Sequence, residues 1–346
     1  MGQEYGAAGA VASVVKRIGF LSFGHYQDVP GSLVRDAGEA YRQAVELAVA
    51  AEEVGADGAF VRVHHFAPQH SSPIPLLSAM AARTSRIELG TGVIDMRYEN
   101  PLYLAEEAAV ADLISEGRLQ LGISRGSPEP ADHGWRAFGY PDDGMPRDKA
   151  ELFLAAVGGA PVVMSDPAMT GQSRPLAIDP QSPGLDERIW WGAGSRDTAV
   201  WAAEKGFNLM SSTLVFGEST SLGDLQAEQI AAYREAWNAA GHERSPRVSV
   251  SRSIIPLVTE EDHHYFGLRA QAESRDQVGI IDNAKATFGR SYIGEPDELI
   301  EQLADDAAVA DADTLLITVP NQLGVDFNAR LLESIVKHVA PGLGWR

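Results

Sequence analysis

The chain has 346 residues, 45% of them hydrophobic and 22% charged, which is enough for one large core or two smaller ones. Its 48 acidic and 28 basic residues give a formal net charge of −20, which disfavours nucleic acid and anionic lipid as general partners. The lack of cysteine excludes disulfides, thiolate zinc sites and a cysteine nucleophile, and no apolar run is long enough to span a membrane, so we expect a cytoplasmic protein.

Strand and helix patterns alternate from residue 17 onwards, after a stretch rich in small residues (1–16) that we expect to be a flexible tail. Eight short apolar runs predict strands, and they are Ile18–Phe23, Gly58–Val63, Ile87–Val93, Leu119–Ile123, Ile189–Gly192, Asn208–Ser211, Val248–Val258 and Thr314–Val319. Apolar faces of helical period predict helices at 40–54, Ile74–Ala82, Leu222–Ala240 and Asp326–Val339, and Asn100 and Pro101 open another that runs to Leu113.

This alternation implies parallel strands joined by crossover helices, and eight such units predict a closed TIM (β/α) barrel with insertions. No linker divides the chain, so we expect residues 17–346 to form a single domain. The least regular stretch lies around 158–187 and is too long for an ordinary connection, so we expect an insertion near the active face. Catalytic groups in such barrels lie where strands end and the next loops begin.

Two adjacent histidines follow the second predicted strand in VRVHHF, residues 61–66. Successive strand side chains point to opposite faces, so only one of His64 and His65 can face the barrel mouth. Adjacent histidines are therefore a poor chelating pair. The spacing leaves two interpretations: one packed and one exposed histidine, or a single catalytic histidine.

Three further strand ends carry groups suited to an anionic ligand. The third strand ends in LGTGVIDM, whose two glycines would allow a ligand or another backbone to approach closely. The alternative is a strand ending with no functional role. Arg125 follows the fourth strand in LGISRG and suits a phosphate, a carboxylate or an acidic neighbour. In WGAGSRDT, Ser195 and Thr198 lie at the start of a predicted helix, where free backbone N–H groups favour an anion. A simple N-cap explains Ser195 equally well.

In their order and spacing these segments resemble the bacterial luciferase-like, flavin-dependent oxidoreductase family, over about residues 17–339. The resemblance rests on AEEVGADGAFVRVHHF, ARTSRIELGTGVIDM, NPLYLAEEAAVADLISEGRLQLGISRG, WGAGSRDTAVWAAEKG and ADTLLITVP. It implies that His64 is a general base beside the flavin and that Gly92-Val93 is a cis peptide behind the flavin ring. It also implies that Arg125, Ser195 and Thr198 contact the flavin phosphate.

The resemblance further implies a monooxygenase that uses reduced FMN and dioxygen on a small organic substrate. It implies reduced flavin from a separate reductase, a homodimer and no metal, while a deazaflavin used for hydride transfer is the alternative cofactor. Val63, Ser124 and Gly194 stand where luciferases can carry glutamate, cysteine and glutamate. Ser124 and Gly194 argue against luminescence, and Val63 and Gly194 keep a non-catalytic flavin-binding protein open. A metal-dependent barrel hydrolase using His64, His65 and His70 is a further alternative.

Overall fold

The computed structural model describes residues 15–126, 130–140, 145–217, 219, 221–273, 275–281 and 284–346. The first fourteen residues of the expected N-terminal tail lie outside the described residues. The strands are β1 (Arg17–Ser22), β2 (Gly58–Val61), β3 (Glu88–Asp95), β4 (Leu119–Ser124), β5 (Val163–Met164), β6 (Pro175–Leu176), β7 (Ile189–Ala193), β8 (Asn208–Ser211), β9 (Leu214–Phe216), β10 (Val248–Pro256), β11 (Gln277–Ile281), β12 (Ala284–Phe288), β13 (Ser291–Gly294) and β14 (Thr314–Val319).

The helices surround the strands and mostly follow them one by one along the chain. They are α1 (Ala37–Glu53), α2 (Pro73–Ala81), α3 (Pro101–Ile114), α4 (Pro146–Val157), α5 (Pro167–Thr170), α6 (Arg196–Glu204), α7 (Leu222–Ala240), α8 (Glu260–Ala272), α9 (Pro296–Ala304), α10 (Ala307–Asp311) and α11 (Gly324–Ser334). The predicted cap of α3 is present, because the Asn100 side chain accepts hydrogen bonds from the backbone N–H groups of Leu102 and Tyr103.

Eight parallel strands close into a barrel in the order β1-β2-β3-β4-β7-β8-β10-β14, with β14 paired back onto β1. These are the eight strands that the sequence predicts, with bounds that differ by at most two residues at either end. The fold is therefore a TIM barrel, as predicted.

Elements outside the eight-fold repeat lie beside the barrel. Strand β13 pairs in parallel with the last four residues of β10, and β11, β12 and β9 form a small antiparallel sheet. The stretch around 158–187 contains the β5–β6 hairpin and α5. The expectation that it lies near the active face is wrong: it joins the end of α4 to the start of β7, on the side where strands begin. There Ser182 donates a hydrogen bond to the buried Asp112 carboxylate at 2.6 Å.

Two apolar layers hold the barrel together. The large core lies between strands and helices, and a smaller cluster fills the barrel interior with Leu21, Phe60, Trp190, Met210 and Leu316. Burial of an aromatic or large aliphatic side chain stabilises a fold by roughly 1.5–3 kcal/mol. Because successive side chains of a strand point to opposite faces, only every second residue of each strand points into the barrel interior.

Candidate active site

A cavity of about 440 Å³ opens at the carboxyl ends of the barrel strands. Its walls come from residues at or just after the ends of β1, β2, β3, β4, β7 and β8, together with β9 and Ser251 of β10. The volume falls in the range of about 300–1,000 Å³ that is typical of small-molecule sites. All five residues predicted to bind the cofactor line it: Gly92, Val93, Arg125, Ser195 and Thr198.

The floor of the cavity is apolar and contains a cis peptide bond between Gly92 and Val93. A Cβ atom at Gly92 would lie 3.0 Å from Leu21 Cδ1 and 3.3 Å from Met210 Sδ, so glycine lets the backbone pack closely against these two side chains. Leu21, Val93 and Met210 together offer a surface against which a flat ring system could pack.

One wall carries the cationic group predicted at the end of β4. Arg125 is exposed at the cavity, and the preceding Ser124 side chain accepts a hydrogen bond from the Gly126 backbone N–H at 2.7 Å. Gly126 has φ +80°, and a Cβ there would lie 2.0 Å from the Asp95 carboxylate. Only glycine fits this turn, which therefore sets the direction in which Arg125 leaves the strand.

Asp95 is an acidic residue of the cavity wall and is almost fully buried. Arg97 binds it through Nε at 3.0 Å from both carboxylate oxygens and also through Nη2. The Arg97 guanidinium in turn lies 5.1 Å from the Trp135 ring centroid. The charge of Asp95 is thus matched by Arg97 within the wall itself.

Ser195 and Thr198 lie at the N-terminus of α6, on the wall next to Arg125. They form a capping box, in which Ser195 Oγ accepts from the Thr198 N–H at 3.4 Å and Thr198 Oγ1 accepts from the Ser195 N–H at 3.3 Å. Their hydroxyl groups are 3.0 Å apart. The capping role is therefore present, and Ser195 and Thr198 place the N-terminus of α6 at the cavity, where a helix dipole favours an anion.

The predicted catalytic histidine, His64, is buried but is not among the residues that line the cavity. Its backbone N–H donates to the carbonyl of His70 at 2.9 Å and closes the loop after β2. His65 stacks on Tyr98 with ring centroids 4.2 Å apart and meets Phe138 edge-on at 5.2 Å. The two histidines therefore have different environments, and neither is among the residues that line the cavity.

Sequence reasoning missed Arg62 and the rings of Phe23 and His25 near it. Arg62 lines the cavity and lies 4.6 Å from the Phe23 ring centroid, and the ring of His25 stacks on Phe23 at 5.8 Å. Burial, then the charges of Arg62 and His64, lowers the pKa of His25. The sequence carried one signal for Arg62. It follows the inward-facing Phe60 by two residues, and alternate residues of a strand point to the same face.

The residue types fit the phosphate and ring of a flavin. Arg125, two hydroxyl groups and a helix N-terminus form a donor set for a phosphate, and the apolar floor suits an aromatic ring. Across the part of the chain that the structure describes, no three His, Asp or Glu side chains converge as metal ligands. In the same residues, no helix combines the length and apolarity needed to cross a membrane.

Comparison with known proteins identifies the family and agrees with the fold. A family model described as luciferase-like monooxygenase matches residues 18–312. An uncharacterized protein of Sinorhizobium fredii is 30% identical over 199 residues, which are 56% of each chain. The oxygenase component of the flavin-dependent trigonelline monooxygenase of Acinetobacter baylyi is 26% identical over 70% of this chain and 69% of its own. An F420-dependent glucose-6-phosphate dehydrogenase of Amycolatopsis mediterranei is 36% identical over 25% of this chain and 27% of its own.

Two solved structures share the fold along nearly their whole length. Monooxygenase RslO1 from Streptomyces bottropensis superposes with a TM-score of 0.71 at 21% identity, covering 94% of this chain and 99% of that one. The oxygenating constituent of 3,6-diketocamphane monooxygenase of Pseudomonas putida, a type II Baeyer-Villiger monooxygenase in complex with FMN, gives 0.68 at 18% identity, covering 94% and 98%.

Proposed function

The chain belongs to the luciferase-like monooxygenase family, whose members include flavin-dependent monooxygenases and deazaflavin-dependent oxidoreductases, and on that premise we propose that it is an FMN-dependent monooxygenase. In this reaction reduced FMN supplies two electrons, one atom of dioxygen enters a small organic substrate, and the other leaves as water. The protein binds the reactants, orients them, excludes water and holds a proton.

The observation that carries the proposal is the convergence on one cavity of the groups that a flavin requires. Arg125 follows β4, and Ser195 and Thr198 follow the neighbouring strand β7, so both supply the phosphate end. Gly92 and Val93 form the floor from β3. In this arrangement Arg125, Ser195 and Thr198 would hold the phosphate, and the apolar floor would receive the flavin ring.

His64 is proposed as the general base. His64 follows the cavity-lining residues Arg62 and Val63 along the chain, and it is close enough to His25 for its charge to lower the pKa of that residue. Its proposed role is to accept and hold a proton during the reaction in the cavity.

Two partners follow from the same assignment. A separate reductase would supply reduced flavin, as the name of the trigonelline enzyme's oxygenase component implies for that enzyme. A second copy of this chain would cover the exposed apolar side chains of α3, which are Tyr103, Val110, Leu113 and Ile114. Light scattering of the purified protein tests the dimer, and a monomeric mass at micromolar concentration would contradict it.

Titration of the apoprotein with FMN, oxidised and anaerobically reduced, tests the function. We expect FMN to bind more tightly than riboflavin, which lacks the phosphate. Arg125→Ala should weaken FMN binding about tenfold to a hundredfold, since a charge-assisted hydrogen bond contributes about 1.5–3 kcal/mol. Arg136→Ala is a matched control, because Arg136 is exposed and does not line the cavity. Equal affinity for FMN and riboflavin, or an unchanged affinity in Arg125→Ala, would contradict the phosphate assignment.

The alternative function is hydride transfer with a deazaflavin, which the similarity to the F420-dependent dehydrogenase favours. The same titration with the deazaflavin separates the two. Tighter binding of the deazaflavin than of FMN would replace oxygenation with hydride transfer.

A further inference from the structure

Gln229 is a polar residue of α7 whose side chain is almost fully buried. Its Nε2 group donates two hydrogen bonds, at 3.1 Å to the carbonyl of Ala193 and at 3.0 Å to the carbonyl of Ser195. Its Oε1 atom accepts a third hydrogen bond, at 2.6 Å, from the hydroxyl of Ser211. Both amide hydrogens and the amide oxygen are therefore used, and this network fixes the orientation of the side chain.

The three partners of Gln229 belong to different elements around the cavity. Ala193 is the last residue of β7, Ser195 is the N-cap of α6, and Ser211 is the last residue of β8. Ser195 and Ser211 line the cavity, as does Gly194, which joins β7 to α6. One side chain from α7 therefore ties the turn between β7 and α6 to the end of the neighbouring strand β8.

The bond from Gln229 to the Ser195 carbonyl holds the N-cap of α6 from outside its own helix. The same carbonyl also accepts hydrogen bonds from Thr198 Oγ1 at 2.9 Å and from the Ala199 N–H at 3.2 Å. Those two donors belong to α6 and would move together with it. The bond from α7 instead fixes the start of α6 relative to a second helix and to the barrel.

The position of this N-cap matters because hydrogen bonds to an anion depend steeply on geometry. A shift of about 1 Å takes a donor out of the usual range of hydrogen-bond distances. Groups that contact a ligand are therefore held in place by buried residues behind them. Gln229 is not among the residues that line the cavity, so it can act on a ligand only through groups such as Ser195.

We propose that Gln229 is a positioning residue for the cofactor phosphate, which holds Ser195 and the N-terminus of α6 so that they and Arg125 bind one phosphate together. This inference rests on the proposed function, because it takes Arg125, Ser195 and Thr198 as the phosphate contacts. The flavin ring is assigned to the floor formed from β3, so Gln229 affects the binding of the phosphate and not that of the ring.

The test compares FMN with riboflavin, which has the same ring and lacks the phosphate. The dissociation constants of both are measured by fluorescence titration of the apoprotein, and the readout is their ratio. Gln229→Met keeps the length of the side chain and removes its hydrogen bonds. We expect it to lower the preference for FMN over riboflavin about tenfold and to change riboflavin affinity less than about twofold. Gln229→Asn retains an amide but is one methylene shorter, and it should lower the same ratio by a smaller factor.

Tyr233→Phe is the matched control. Tyr233 lies one turn further along the buried face of α7 and donates its hydroxyl at 2.7 Å to the carbonyl of Phe207, just before β8 begins. The substitution removes a buried hydrogen bond from the same helix at the end of the barrel where the strands begin. It should lower the thermal unfolding temperature and leave the ratio of FMN to riboflavin affinity unchanged.

The outcomes separate this inference from the proposed function. If the wild-type protein does not prefer FMN to riboflavin, the phosphate assignment fails, and the inference fails with it. If the wild-type protein prefers FMN and the folded Gln229 variants keep that preference, or lose affinity for both ligands equally, the inference is overturned and the proposed function stands. An equal fall of the ratio in Tyr233→Phe would also overturn it. A fall of the ratio in the Gln229 variants alone supports the positioning role.

Discussion

The buried ion pair between Arg252 and Asp306 offers a direct test of how one wall of the barrel is held. Arg252 lies in β10 and Asp306 caps α10, and both side chains are nearly inaccessible, at 2% and 4% exposure. The guanidinium donates through Nε at 2.8 Å and Nη2 at 3.0 Å to the two carboxylate oxygens, and Tyr292 donates its hydroxyl at 2.6 Å. Arg252 also donates to the carbonyl of Ser251, which lines the cavity.

The expected cost of breaking this pair follows from what is left behind. Arg252→Met leaves the Asp306 carboxylate buried with Tyr292 and the α10 N–H groups, and an uncompensated buried charge costs about 3–5 kcal/mol. Tyr292→Phe removes one hydrogen bond and should cost about 1 kcal/mol. Because the contacts share one carboxylate, the effects of the two substitutions should not add.

Urea unfolding followed by fluorescence and by circular dichroism measures these losses, provided that the two probes give coincident transitions. The pH dependence gives a second measurement. Burial alone would raise the pKa of Asp306, but the hydrogen bonds and charge of Arg252 outweigh it and hold that pKa below its usual value. The pair therefore contributes stability above about pH 4, the ordinary range of an aspartate, and this contribution is lost as pH falls through the lower folded-state pKa.

A loss below about 1 kcal/mol in Arg252→Met would refute the reasoning, because it would mean that water reaches the carboxylate and that the pair is effectively exposed. Arg234→Met is the matched control. Arg234 pairs with Asp311 on the surface at 4.0 Å with both side chains more than 40% exposed, so this substitution should cost less than about 1 kcal/mol.

Two further predictions concern His64 and Glu99. If His64 is the base, His64→Asn should slow the aerobic reoxidation of bound reduced FMN about a hundredfold, whereas His65→Phe should leave its rate unchanged; an unchanged rate in His64→Asn would count against the base. Burial, followed by the charges of Glu107 and Asp95, raises the pKa of Glu99 to about 7. A raised carboxyl pKa contributes stability below about pH 4.5 that is lost as pH rises through 7, so Glu99→Gln should remove a decline of up to about 3 kcal/mol between pH 4.5 and 8. Urea midpoints across that range that fall equally in both proteins would contradict it.

The fold was largely predictable because the barrel repeats one pattern. Each barrel strand is a short apolar run, and each is separated from the next by a helical period or a turn, so apolar periodicity alone located all eight. Strand β13 was missed because SYIG is four residues long and follows a polar stretch. The β11–β12 hairpin was missed because QVGII is short and has glycine at its centre, and its Val278 and Ile280 side chains are exposed rather than part of the core.

The site was predictable only in part, because strand and helix patterns do not specify the conformation of the loops. Arg125 and Ser195 follow strands directly, so their arrival at one cavity follows from the barrel topology. The placement of the 158–187 stretch was wrong because length and composition do not say whether a loop follows a strand or precedes one. The placement of His64 outside the cavity lining depends on the loop from His64 to His70, whose conformation single residues do not specify.

The positions at which this chain departs from luciferases lie around the same cavity as the proposed phosphate site. Val63, Ser124 and Gly194 all line the cavity. Glutamate at position 194 would place a carboxylate next to Ser195, so it would oppose an anion at the proposed phosphate site. Glycine adds no charge there, and Asp95, the carboxylate among the described lining residues, is bound by Arg97. Glycine at position 194 therefore argues against luminescence and also suits a phosphate at this end of the cavity.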